Sequence, residues 1–184
     1  MINENKTNNQ WRWYYDNEHE RMMLDLANGM LFRSCFPAKM LVASAYGEMT
    51  FNIDDAGLYH CIEEQLQKLS LSDEHSAELI LNALVAFRFL KPQMPRSWYF
   101  LPVNCHDDLV LGDVVQVHIE DSGQKALFLV AEAGKYASLC LLIEPRLVLK
   151  DRVMRFCDPI KIMNNRLIIY QPPASSLIYE RAVS

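Results

Sequence analysis

Lys91-Pro-Gln-Met-Pro-Arg96 divides this chain into two textures. Two prolines within four residues exclude a helix interior and a central strand. The residues before the segment carry helical periodicity, and those after it read as strands. An α+β chain of two units is therefore expected, an N-terminal α/β domain over 1–90 and a C-terminal β domain over 91–184. An ordinary loop within one domain is the alternative, since 184 residues suit either one domain or two small ones.

Immediately upstream, Ser72 is a candidate N-cap, with Asp73 and Glu74 suited to the positive end of the helix dipole. The helix is expected to run to about Leu90 and stop before Pro92. Its polar stripe is narrow, formed by His75, Glu78 and Asn82. It must therefore be covered on most sides, at the centre of the first unit. A preceding helix carries Leu58, Tyr59, Ile62, Leu66 and Leu69 at helical spacing, with Asp54 as its expected cap. Further upstream, Trp11, Trp13 and Tyr15 share one face of a strand, and Met22, Leu24 and Leu26 share one face of the next. Asn28-Gly29 marks a hairpin turn into Met30–Phe36. The expectation is a three-stranded antiparallel meander.

Downstream, strands are expected at Val114–Glu120, Ala126–Glu132, Ala137–Ile143, Leu147–Lys150, Arg152–Phe156, Ile160–Met163 and Leu167–Tyr170. Asp121-Ser-Gly123, Ala133-Gly-Lys135, Asp158-Pro159 and Asn164-Asn165 are the turns between them. Short strands at this spacing suggest a small barrel or sandwich. Pro172 to Ser184 reads as a loosely held tail.

The chemistry is sparse. With six glycines, neither GxGxxG nor GxxxxGK[ST] is present, so no standard nucleotide cradle is expected. Cys105-His106-Asp107-Asp108 collects ligand types, but neighbouring strand residues point to opposite faces, and a polar loop is the better reading. His60 and Glu64 lack a third ligand. Cys61 beside His60 is no dyad, because consecutive helical residues diverge. No GxSxG occurs. No enzyme activity, metal or cofactor is expected. The five cysteines are odd in number and scattered, which suits free thiols in a reducing compartment. No secretion signal or membrane-length apolar run is visible, so a cytoplasmic protein without membrane insertion is expected.

The net charge is −5, which weighs against a dedicated nucleic-acid binder. Residues 1–90 carry 7 Lys/Arg against 13 Asp/Glu, a net of −6, and residues 91–184 carry 11 against 10, a net of +1. Arg146–Arg166 holds six basic residues and two acids, Asp151 and Asp158. Segregated charge favours an oriented encounter with a charged partner. Arg88, Lys91 and Arg96 surround the proline junction, beside Met94, Trp98, Tyr99 and Phe100. Arg88 and Lys91 suit a helix C-terminus. Met94, Arg96 and Trp98 suit a protein interface, although Trp98 and Phe100 also suit the core of a following strand.

Several runs together resemble the Z-ring-associated protein C (ZapC) family. They are Trp11-Arg-Trp-Tyr-Tyr-Asp16, His19 with Arg21-Met-Met-Leu-Asp-Leu-Ala-Asn-Gly-Met-Leu-Phe-Arg-Ser34, Ala77-Glu-Leu79 with Leu81-Asn-Ala-Leu-Val-Ala86, Leu90-Lys-Pro-Gln-Met-Pro95 with Ser97-Trp98, and Ile160-Lys-Ile-Met-Asn164. The similarity spans about Trp11 to Leu167 and weakens across Asn104–Lys125. It implies an α/β N-terminal domain and a small twisted β-barrel-like C-terminal domain. It also implies a mid-cell division protein that binds filaments of the tubulin-like GTPase FtsZ, bundles them and damps their GTPase, as a monomer or weak self-associate. The family's functional positions fall on Leu24, Lys91 and Arg96, where Arg96 replaces a familiar Lys. Lys161 lies in the best-matching run of the second half. A small barrel binding nucleic acid through Arg146–Arg166, and a thiol enzyme, are the competing classes.

Overall fold

In a computed structural model of the chain, residues 10–104 and 107–173 are described. The first half forms a four-stranded antiparallel sheet in the order β3-β2-β1-β4. Its strands are β1 (Arg12–Asp16), β2 (Arg21–Asp25), β3 (Leu31–Pro37) and β4 (Met49–Thr50). The expected meander is present, and β4 extends it on the β1 side. Trp13 pairs with Leu24, and Leu24 with Phe32, so one cross-strand row faces the core. The β2–β3 turn is longer than a two-residue hairpin. Ala27 and Gly29 take positive φ, while the Asp25 and Asn28 carboxyl and amide oxygens accept from the amides of Ala27 and Met30.

Two helices follow, α1 (Ile53–Leu66) and α2 (Asp73–Phe89). Asn52, two residues before the expected Asp54, caps α1. Its side chain accepts from the Asp55 amide, and the Asp55 carboxylate accepts in return from the Asn52 amide. That reciprocal pair satisfies two orphan donors, which Asp54, already the second helical residue, does not do. Ser72 caps α2 as expected, accepting from the His75 amide. Asn82 was expected on a solvated stripe but is 1% exposed. It donates to the Glu78 carbonyl and accepts from the Cys35 amide, so its polarity is used up inside.

The second half holds a five-stranded antiparallel sheet, β10-β7-β6-β5-β11, and a two-stranded ribbon, β8-β9. The strands are β5 (Val114–His118), β6 (Lys125–Glu132), β7 (Ala137–Leu142), β8 (Arg146–Leu149), β9 (Arg152–Arg155), β10 (Pro159–Met163) and β11 (Ile168–Ile169). Among the described residues, no sheet takes a strand from the other half. The Trp98 region is a 3-10 turn, Ser97–Tyr99, in place of the strand entry that alternation allowed. Trp98 is consequently 59% exposed, whereas Tyr99 and Phe100 are buried.

Helix α2 packs against both β3 and β6, one strand from each sheet. Its buried run from Leu79 to Ala86 explains the narrow polar stripe. One apolar cluster runs from Trp11, Trp13 and Leu24 through α2 to Leu129, Leu141 and Cys157. A second, including Tyr99, Phe128, Met154 and Ile160, lies wholly after the junction. The two halves thus have separate sheets and a shared core at α2.

Burial also fixes an alkaline limit. Desolvation pushes the Cys140 and Cys157 thiols well above their ordinary 9.0. The Tyr59 hydroxyl is pushed up to about 12, first by burial and then by Glu63. Above pH 9 the unfolded chain releases protons that the folded chain keeps, so stability falls as pH rises. Denaturant midpoints should stay level from pH 7 to 8 and decline from pH 9 towards 11. A midpoint that rises over that range contradicts the assignment.

Candidate functional site

The proline junction is strapped at both ends. The Lys91 amide donates to the Met40 carbonyl at 2.8 Å, and the Val42 amide donates to the Phe89 carbonyl at 2.7 Å. At the other end, the Arg96 amide donates to the Lys161 carbonyl at 2.8 Å, within a parallel bridge between Pro95 and Lys161. The Ser97 hydroxyl then accepts from the Met163 amide at 2.8 Å. Residues 91–97 therefore run as a fixed strap from the first half onto β10. Proline supplies the stiffness and the backbone bonds supply the register.

Under this strap lies a cavity of about 290 Å³. Met94, Arg96, Lys161 and Arg152 line it, with Asp158 and with Cys35–Pro37 and Met40 from the first half. Its walls thus come from both halves of the chain. Three cations face one acid. Asp158 is already engaged, accepting from the Arg155 amide at 2.8 Å, and Arg152 donates to the Pro159 carbonyl at 3.3 Å. None of the ion pairs among the described residues involves Arg96, Arg152 or Lys161. Met94 stands 81% exposed at the mouth. An exposed apolar side chain beside cations that lack an ion-pair partner among the described residues is a surface suited to an acidic partner with an apolar anchor.

Three of the six residues singled out from sequence meet here: Met94, Arg96 and Lys161. Lys91 is exposed on the strap but does not line the cavity, and Trp98 is exposed on the adjoining 3-10 turn. Leu24 is not a surface residue. It is fully buried on β2, one of the two inner strands of the first sheet, and lines neither this cavity nor the groove described below. Arg152 went unnoticed in the sequence, because membership of a basic run does not say which of its members share a cavity. Arg88 is also placed differently from expectation. It pairs with buried Asp55 across α1 and α2, so it is not a free cation at the junction.

The other sequence candidates stay apart from the cavity. Cys105 and His106 lie outside the described residues. His60 Nδ1 lies 3.4 Å from the Glu63 carboxylate, and the neighbouring Cys61 is exposed. Asp16, Glu18 and His19, at the β1–β2 turn, each offer a ligand atom within 4.8 Å of the others. Asp16 and His19 are hydrogen-bonded to each other, and that bond lowers the Asp16 carboxyl from its ordinary value. No helix among the described residues is long and apolar enough to cross a membrane.

Residues 5–91 match the family model described as Cell-division protein ZapC, N-terminal, and residues 92–172 that described as Cell-division protein ZapC, C-terminal. The chain is 53% identical over 180 residues to the cell division protein ZapC of Xenorhabdus bovienii, covering 97% of this chain and 98% of the relative. It is 51% identical over 180 residues to that of Proteus mirabilis, with the same coverage. It is 36% identical over 161 residues to that of Aeromonas hydrophila, covering 87% and 89%. The chain belongs to the ZapC family of cell-division proteins.

Proposed function

We propose that this protein is a non-enzymatic division accessory factor that binds FtsZ at mid-cell, bundles its protofilaments in the Z-ring and damps its GTPase. The observation that carries the reading is the convergence of Met94, Arg96 and Lys161 on one cavity, with Arg152 beside them and no ion pair among the described residues holding the cations. In this reading the cations meet acidic side chains of the filament, and Met94 and Trp98 supply the desolvated centre of the contact. Lys91 acts from the strap, as an outer charge that steers approach. Leu24 acts from inside the first sheet by holding its shape.

The chain is acidic overall, so attraction must be local. The screening length at physiological salt is about 8 Å, short enough for a patch of this size to act against the mean charge. Bundling needs two filament contacts per particle, because a single contact only decorates. We assign the two contacts to units spanning 1–90 and 91–184, hinged at neither end because the strap is bonded to both. A filament held laterally loses subunit exchange, which accounts for a damped GTPase. Co-sedimentation with GTP-polymerised FtsZ tests binding. Light scattering tests bundling, and phosphate release per FtsZ tests turnover. Scattering should rise and release should fall together.

A further inference from the structure

A second groove, of about 720 Å³, lies between the β2–β3 hairpin and the first turns of α2. Its apolar lining includes the buried Leu26, Ala77 and Leu81 and the half-buried Phe32. Asp73, Glu74 and Glu78 are exposed around it, against the single cation Arg33. The groove therefore pairs an apolar lining with a net acidic rim.

Among the described residues β3 is the terminal strand of its sheet, so its outer edge forms one wall. The Leu26 amide donates to the Met30 carbonyl at 3.0 Å. Antiparallel alternation then makes Leu24 and Phe32 the next hydrogen-bonded pair. The backbone groups of Leu31 and Arg33 consequently point away from β2, on the edge that lines the groove. The amide of Cys35, further along β3, is taken by the Asn82 side chain at 3.0 Å. Asn82 so closes the edge beyond Arg33 and leaves Leu31–Arg33 open. Natural proteins commonly blunt such edges. Here an open edge sits beside an apolar slot, the arrangement that strand addition uses.

We propose that this groove takes an extended peptide segment of net positive charge, with apolar side chains at alternate positions, added as a strand to β3 over Leu31–Arg33. Backbone pairing supplies the attachment. The alternate apolar side chains fill the slot over Phe32, Ala77 and Leu81, and the basic ones meet Asp73, Glu74 and Glu78. The site is separate from the strap cavity, which touches β3 only at Cys35–Pro37, and it does not depend on the FtsZ reading.

The probe is the blocked pentapeptide Val-Lys-Val-Lys-Val, titrated into the full chain. Amide exchange should slow at Leu31 and Arg33 on saturation. N-methylating the peptide backbone should weaken binding at least tenfold, as should replacing its lysines with glutamates. Glu74→Lys with Glu78→Lys alters only exposed positions and should cause a similar loss, while the reversed charge in the first turn of α2 lowers the melt by no more than a few degrees. No saturable binding up to about 1 mM peptide overturns the proposal. So does equal affinity for the N-methylated peptide, or binding without protection at Leu31 and Arg33. FtsZ takes no part in this experiment, so its outcome is independent of the previous proposal.

Discussion

Leu24→Pro is expected to unfold the first sheet and to abolish filament binding as a consequence. Leu24 is fully buried on β2, the strand flanked by β1 and β3, and it is paired with Trp13 on one side and Phe32 on the other. Proline removes the amide that the Leu24–Phe32 pair uses, and in a central strand the substitution is essentially absent from native sheets. Loss of a buried leucine side chain adds about 2–5 kcal/mol. The side chain belongs to the cluster that reaches α2 and, through it, the second half. The sum approaches the whole stability of an ordinary domain, about 5–15 kcal/mol. Far-UV circular dichroism and a thermal melt check this. A native melt with lost binding would instead mean that Leu24 touches the partner.

The second large effect belongs to a residue that nothing in the sequence made conspicuous. Asp55 is 2% exposed, and its Oδ2 atom collects donors from three places. The Arg88 guanidinium pairs with it, Trp13 Nε1 donates to it at 3.2 Å, and the Asn52 amide donates at 3.0 Å. One carboxylate thus ties β1, the start of α1 and the end of α2 together. Arg88 also lies over the Phe89 ring at 5.2 Å. Asp55→Ala leaves a largely buried guanidinium without its counter-charge, deletes half of the α1 capping box and strands the Trp13 donor. Removing one partner of a buried pair costs about 3–5 kcal/mol. Asp55→Asn keeps the shape and acceptor oxygen but not the charge, and should fall between alanine and the native residue. Urea denaturation of the three proteins measures the series. An alanine variant within 1 kcal/mol of the native protein, the range of an exposed pair, would show that the carboxylate is not the tie described.

The elements were legible because their signals are local. Alternation placed Met22, Leu24 and Leu26 on one face, and turn residues separated the later strands to within a residue or two of where they lie. The Ser72 cap and the helix end before Pro92 follow from backbone chemistry confined to a few residues. The α1 cap, expected at Asp54 and found at Asn52, turns on a local pair, Asn52 with Asp55, whereas other differences depend on distant partners. Asn82 reads as a surface amide until β3 supplies an unpaired amide at Cys35. Arg88 reads as a helix C-terminal cation until α1 presents Asp55 to it. For Trp98 the sequence leaves open an interface residue or the core of a following strand, and the 3-10 turn over Ser97–Tyr99 leaves its side chain exposed. The strap cavity has the same origin. Arg96 and Lys161 are 65 positions apart, and only the backbone bond between them, bringing Arg152 alongside, makes a site from residues that composition counts separately.

The central claim is that these clustered cations form the filament contact. Its most direct test is co-sedimentation of GTP-polymerised FtsZ with Arg96→Glu/Lys161→Glu, at low and at physiological salt, beside Lys91→Glu alone. The double variant should keep its thermal melt within a few degrees and bind at least about tenfold more weakly, a difference of about 1.4 kcal/mol or more. Lys91→Glu, outside the cavity, should show a smaller loss that shrinks as salt rises. Undiminished pelleting of the folded double variant at both salt concentrations would contradict the account.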